Sequence, residues 1–169
     1  MAETSFVRIE RAGRSLWRVS AGLWLSRPVD EVFGFFGDAA NLNLITPPWL
    51  DFRILTPLPV AMGKGTRINY VIRLHGFPMT WKTEIAAWEP EVRFIDRQIR
   101  GPYRQWIHEH RFVARDGGTW CEDTVDYIPP LGSLVNRWFV EPDVRRIFHF
   151  RQQRMSELFA PRPASLCSA

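Results

Sequence analysis

The stretch that decides the fold is TRINYVIRLHGFPMTWKTEIAAW, residues 66–88. Its first half alternates: Ile68, Tyr70, Ile72 and Leu74 fall on one side, Arg67, Asn69 and Arg73 on the other. Its second half alternates too, with Met79, Trp81, Thr83, Ile85 and Ala87 opposite Thr80, Lys82 and Glu84. A period of two marks strands, whose successive side chains face opposite ways, and HGFP between them supplies turn chemistry. The stretch therefore reads as an antiparallel hairpin with one apolar face, and the same parity turns Trp88 outward.

The pattern continues in both directions. Downstream, EPE turns into VRFIDRQI (92–99), RGPY into RQWIHEHRFVA (104–114), and RDGG into TWCEDTVDYI (119–128). Upstream, WLDFRIL (49–55) and SLWRVSAGLWLS (15–26) alternate as well. Between those two, SRPVDEVFGFFGD carries a helix start, with Ser26 as N-cap candidate, Pro28 in the first turn and Asp30 and Glu31 near the positive end. Val29, Val32, Phe33 and Phe36 form its apolar stripe. Asp38 caps a second short helix, AANLNLI, which the prolines of TPPW end. After PPLGS a long helix runs from Ser133 to about Leu158, and Pro142 implies a kink or a restart within it. Val144, Phe148, Arg151, Met155 and Leu158 share one stripe there.

This order predicts an α+β fold: a curved seven-stranded antiparallel sheet, two short helices after the first strand, and one long C-terminal helix. The apolar face of the sheet needs a cover, and only the last helix is long enough. A bent sheet wrapped on one helix leaves a hollow between them, the concave and mostly apolar kind of place that ligands occupy. The chain of 169 residues reads as one domain, 1–169, with an ordered core at about 15–158 and a flexible tail at 160–169. Eight Trp and twelve Phe suit a wide interior that is not completely filled.

Charge and cysteine usage exclude several classes. The net charge of +4 comes from arginines scattered among acids, so no nucleic-acid partner is expected. Cys121 lies in a strand and Cys167 in the tail, which argues against a disulfide framework. The N-terminal MAETSFVRIERAGR lacks the apolar core of a signal peptide, and no run reaches about 18 apolar residues. The expectation is a cytoplasmic protein with no membrane insertion.

Several separated phrases, in order, carry a family resemblance: NLITPPWLDFRI, GTRINYVIRLHGFPMTWKTEIAAWEP, FIDRQIRGPYRQWIHEHRF, TVDYIPP and IFHFRQQRM. Over roughly residues 16–158 the chain resembles a bacterial subfamily of the START-like, or SRPBCC, superfamily with its helix-grip fold. The superfamily includes plant pathogenesis-related allergens, lipid-transfer START domains and aromatic polyketide cyclases. The resemblance implies a ligand cavity, with either ligand binding or cyclase/dehydrase-like activity. Similar domains are sometimes fused to an NAD-dependent sugar epimerase-like domain; no Gly-rich dinucleotide loop occurs here, and no cofactor is expected.

Parity then names the cavity side of each strand: Tyr70 and Ile72; Trp81 and Thr83; Phe94, Asp96 and Gln98; Trp106, His108, His110 and Phe112; Cys121, Asp123, Val125 and Tyr127. Phe148 and Arg151 face them from the helix. The candidate ligand-binding set is Tyr70, Trp81, Phe94, Asp96, Gln98, Trp106, His108, His110, Phe112, Cys121, Asp123, Tyr127, Phe148 and Arg151. Buried charges must pair, so the acids, imidazoles and Arg151 form either a satisfied network or polar anchors for a ligand, and the two are compatible. His108 or His110 beside Asp123 is the candidate general base for cyclization, dehydration or isomerization. A lone HxH on a strand is weak evidence for a metal, and none is expected. Trp49 beside the prolines is a candidate for the cavity's entrance. Binding of a hydrophobic, aromatic or lipid-like molecule is the leading expectation. A cyclase/dehydrase- or isomerase-type enzyme and an accessory module for a protein partner are the alternatives.

Overall fold

The computed structural model describes residues 4–160. The chain opens with β1 (Ser5–Arg11) and β2 (Trp17–Leu25), followed by α1 (Val29–Phe36), a 3₁₀ turn and α2 (Leu42–Ile45). Six further strands follow: β3 (Arg53–Ile54), β4 (Arg67–Leu74), β5 (Phe77–Glu89), β6 (Arg93–Arg100), β7 (Gln105–Arg115) and β8 (Gly118–Ile128). The short α3 (Ser133–Val135) and a π-helical turn (Asn136–Val140) lead into α4 (Glu141–Leu158). The strands form one antiparallel sheet in the order β1-β2-β8-β7-β6-β5-β4-β3, with the helices on its concave face. The helix-grip architecture holds, with eight strands where seven were expected.

The extra strand is β1, and the ordered fold starts ahead of the expected residue 15. Its side chains are mostly exposed, so its alternation carries little apolar signal; only Val7 and Ile9 pack on the core. At the opposite edge WLDFRIL yields just two strand residues, because Pro48–Leu50 forms a 3₁₀ turn and Asp51 adopts a left-handed φ of 41°. Ser26 does not cap α1; Pro28 occupies that position without a side-chain cap, while Asp30 and Glu31 do sit in the first turn. Asp38 accepts a hydrogen bond from Ala40 N as expected of a cap. Pro142 falls in the first turn of α4, directly after the π-helical turn, and Val140 and Glu141 keep helical backbone angles across the join. The tail at 161–169, with Cys167, lies outside the described residues.

Turn chemistry sets the registers. His75 and Gly76, with φ of 50° and 86°, form a two-residue turn that pairs Leu74 with Phe77; Asp116 and Gly117, at 53° and 72°, do the same for Arg115 and Gly118. Positive φ at both central residues matches the twist of an antiparallel hairpin. The register of β5 against β6 shifts twice, between Lys82 and Thr83 and between Ile85 and Ala87, and at the second the extra residue lies on β5 and breaks its parity. Trp88 consequently pairs with Phe94 and turns inward, its ring 5.1 Å from Phe33 and 5.5 Å from Phe94. This corrects the outward orientation expected from strict alternation, since one extra residue exchanges the two faces beyond it.

The core divides in two. Leu23, Leu25, Val32, Phe33, Ile85 and Phe94 gather with Met155 and Phe159 under α1 and the end of α4. Val19, Ala21, Val125, Tyr127, Val144 and Phe148 pack at the start of α4. Gln152 fastens the helix between them, donating from Nε2 to Phe6 O at 2.8 Å and Gly22 O at 2.9 Å.

A cavity under the last helix with a buried charge network

Between the sheet and α4 lies a cavity of about 200 Å³. Its walls are mostly aliphatic and aromatic: Ile68, Ile72 and Tyr70 from β4, Trp81 and Ile85 from β5, Phe94 from β6, Trp106 from β7, Phe148 from α4 and Phe36 from α1. The rings pack on one another, Tyr70 stacked on Trp81 at 5.8 Å and Trp106 edge-on to Trp81 at 5.5 Å. Asp96, His108, His110 and Arg151 form a charged cluster on the wall, with Asp38, Asn41, Thr83 and Asp143 elsewhere on it. Beyond Leu74, Pro102 and Tyr103, which it shares with the cavity, lies an open cleft of about 490 Å³.

Adjacent strands assemble the polar wall. The ladder sets Asp96 of β6 opposite His108 of β7, and Asp123 of β8 opposite His110. The hydrogen bonds, however, run diagonally: His108 Nε2 lies 2.9 Å from Asp123 Oδ1, and His110 Nε2 lies 3.1 Å from Asp96 Oδ2. Across the ladder, His108 Nδ1 is 3.7 Å from Asp96 Oδ2 and His110 Nδ1 is 2.7 Å from Asp123 Oδ1, the latter off the hydrogen-bond direction. The two imidazole centroids are only 3.8 Å apart. From α4, Arg151 brings Nε to 4.0 Å from Asp123 Oδ2 and its guanidinium carbon over the Phe36 ring at 5.3 Å.

Burial and charge decide the protonation states. Burial works against charge on His110, but Asp123 and Asp96 outweigh it and hold this imidazole above its usual range. His108 is held below it, first by burial and then by repulsion from His110. Burial opposes ionization of the carboxyls as well; Arg151 and the histidines overcome it, bringing Asp123 well below the usual carboxylate range and Asp96 below it. These shifts favour charge on the two carboxylates and on His110 and disfavour it on His108, so with the Arg151 guanidinium the favoured charges balance. The closeness of Asp96, His108 and His110, whose ligand atoms lie within 4.8 Å, would also suit a cation. Arg151 supplies positive charge to the same carboxylates, which makes the arrangement an ion-pair network.

Nine of the fourteen expected residues line the cavity: Tyr70, Trp81, Phe94, Asp96, Trp106, His108, His110, Phe148 and Arg151. The other five take different places. Asp123 stands behind the imidazoles, against a gap of about 10 Å³ beside α4. Cys121 borders that same gap within the α1-side core, where burial pushes its thiol pKa up and leaves it inert. Phe112 packs against Phe33 and Phe36 at 5.4 and 5.0 Å. Tyr127 is fully buried against Tyr103 and Trp106. Gln98 holds the β6–β7 loop instead, its Nε2 donating to Tyr103 O at 2.6 Å. That bond fixes Tyr103, a wall residue hidden in a segment that reads only as a turn. Trp49 does not line the cavity either; it packs edge-on to Phe150 at 5.3 Å with Arg146 over its ring.

Residues 25–155 match the family described as polyketide cyclase/dehydrase and lipid transport. The chain belongs to that family, within the START-like (SRPBCC) superfamily. The fold is similar to that of a Chromobacterium violaceum protein (TM-score 0.67, 14% identity, covering 86% of this chain and 98% of that one). It is similar as well to the ginseng major latex-like protein 151 from Panax ginseng (0.64, 13%, 87% and 99%). A nucleoside-diphosphate sugar epimerase from Corynebacterium glutamicum contains a similar portion (0.58, 19%, 82% of this chain and 28% of that one). No curated protein matches the chain in sequence. Among the described residues no helix is long and apolar enough to cross a membrane. Leu131, Leu134, Trp138 and Phe139, before and within the π-helical turn, expose large apolar side chains.

Proposed function

We propose that the protein binds a small, ring-bearing, mostly apolar molecule in the cavity beneath α4. The observation that carries this reading is the pairing of an unfilled aromatic-lined space with imidazole, carboxyl and guanidinium groups on one part of its wall. A dry cavity of ~150 Å³ is enough to admit benzene, so about 200 Å³ suits a molecule of one or two rings better than a long acyl chain. The network holds its own members in place, and so presents polar groups in a fixed arrangement. Native mass spectrometry of the purified protein should show a retained small molecule. Titration with 1-naphthol should quench the fluorescence of Trp81 and Trp106, and Ile72→Trp, which fills the space, should abolish both signals. If wild type and Ile72→Trp respond alike, the binding reading fails.

A cyclase/dehydrase-type reaction is supported by one specific observation: His108 lines the cavity hydrogen-bonded to Asp123, where burial disfavours its charged form. Such a group can accept a proton from a bound molecule. Under this reading His108→Gln lowers turnover by roughly 100-fold or more while leaving the affinity for an uncharged ligand within a few-fold.

A further inference from the structure

We infer that the cavity takes an anionic molecule, a ring-bearing carboxylate held by the guanidinium of Arg151, and that its binding takes up a proton at His108. This inference rests on the cavity being a ligand site. The wall is apolar save for a few ionizable side chains, and almost all of those have partners. Asp96 is bonded to His110, and His108 to Asp123. Asp143 meets His75 Nε2 at 2.6 Å, and Asp38 caps Ala40. Arg151 differs. Among the described residues its closest approach to an acid is Nε to Asp123 at 4.0 Å, and Nε has no hydrogen-bond partner there. Its terminal nitrogens therefore lie still farther from any carboxylate of the described residues, on a side chain that lines the cavity and is 16% exposed. A guanidinium presents parallel N–H groups that match the two oxygens of a carboxylate.

Charge counting supplies the second half. With Asp96 and Asp123 ionized and Arg151 and His110 charged, the network is neutral before a ligand enters. A buried carboxylate adds one negative charge that must be compensated. His108 is the group able to do so: it is 7% exposed in its side chain and is faced by Asp96 of β6, His110 of its own strand and Asp123 of β8, while α4 sets the Phe148 ring 5.8 Å from it and brings Arg151 to Asp123. Tyr70 and Tyr103, also on the wall, stay protonated because burial raises them. An added anion favours the charged form of a neighbouring imidazole. Binding and protonation are then linked, and affinity rises as pH falls.

The test compares 2-naphthoate with its neutral isostere 2-naphthamide by isothermal titration calorimetry in phosphate and in Tris, whose ionization heats differ. The acid should bind at least about 10-fold more tightly than the amide at pH 6, with net proton uptake at pH 7. Its affinity should rise between pH 8 and pH 6 by up to about tenfold per unit. Arg151→Gln should bring the acid-to-amide ratio close to one without weakening the amide. Arg151→Lys, which keeps the charge beside Asp123, should lower the ratio by several-fold and serves if the glutamine variant does not fold. His108→Gln should abolish the uptake. An amide that binds as well as the acid overturns the carboxylate assignment, acid binding with no buffer-dependent heat overturns the proton uptake at His108, and either leaves the cavity's binding role standing. Binding of neither probe overturns both.

Discussion

His108 hydrogen-bonds Asp123 diagonally, across a register that pairs it with Val125 and pairs Asp123 with His110. The diagonal places each carboxylate against both imidazoles, so one substitution disturbs every member of the network. It also explains why charge on one imidazole disfavours charge on its neighbour, 3.8 Å away, unless a further anion beside them compensates the repulsion.

Asp123 is the centre of this arrangement. Asp123→Asn leaves Arg151 and His110 short of a counter-charge and should cost about 3–5 kcal/mol in urea denaturation, because breaking a buried pair strands its partner. Asp96→Asn, farther from Arg151, should cost less. Equal costs would place the two acids on the same footing and remove the special role of Asp123.

The two histidines give stability opposite slopes against pH. The raised value of His110 contributes stability that is complete below the unfolded value of about 6.5 and is lost as pH rises through its folded value. The lowered value of His108 penalizes the fold as pH drops below about 6.5, where the unfolded chain takes up that proton first. His108→Gln should remove only the acid-side loss. Urea midpoints between pH 5 and pH 8 check this, and a wild-type-to-variant difference independent of pH would contradict it. Resonances of the two imidazoles in NMR titrations should move on opposite sides of about 6.5.

Gln152 ties α4 to the first two strands through two backbone carbonyls. Gln152→Ala should cost about 1–3 kcal/mol by removing both bonds. The same change should raise hydrogen exchange in β1 more than in β7, which amide exchange with mass-spectrometric readout can resolve.

Trp88 separates two readings of β5. Facing inward against Phe33 and Phe94, its replacement by alanine should cost about 2–4 kcal/mol. An outward side chain would give a change within about 0.5 kcal/mol. Thermal or chemical denaturation of Trp88→Ala decides between them.

Period-two alternation made the long central strands legible, and with them the meeting of Asp96, His108, His110 and Asp123 on one face. It failed where the physical signal was weak or local. β1 is an edge strand whose apolar positions are few, so its place in the sheet depends on pairing with β2. Tyr103 lines the cavity from a loop, held there by Gln98, and loop geometry has no period to read. Asp123, Cys121, Phe112 and Tyr127 face inward as parity requires, but other side chains stand between them and the space. Parity assigns a side of the sheet; the sizes of neighbours decide which inward residues reach the void.

The irregularity between Ile85 and Ala87 has a consequence for anyone tracing this site through related chains. Up to residue 85 odd numbers look toward the helix; from Trp88 onward even numbers do. A relative without the inserted residue would present the same amino acids in reversed phase. Matching such chains by position along the strand would then mistake exterior groups for interior ones, and only an alignment that opens a gap at this point would restore the correspondence.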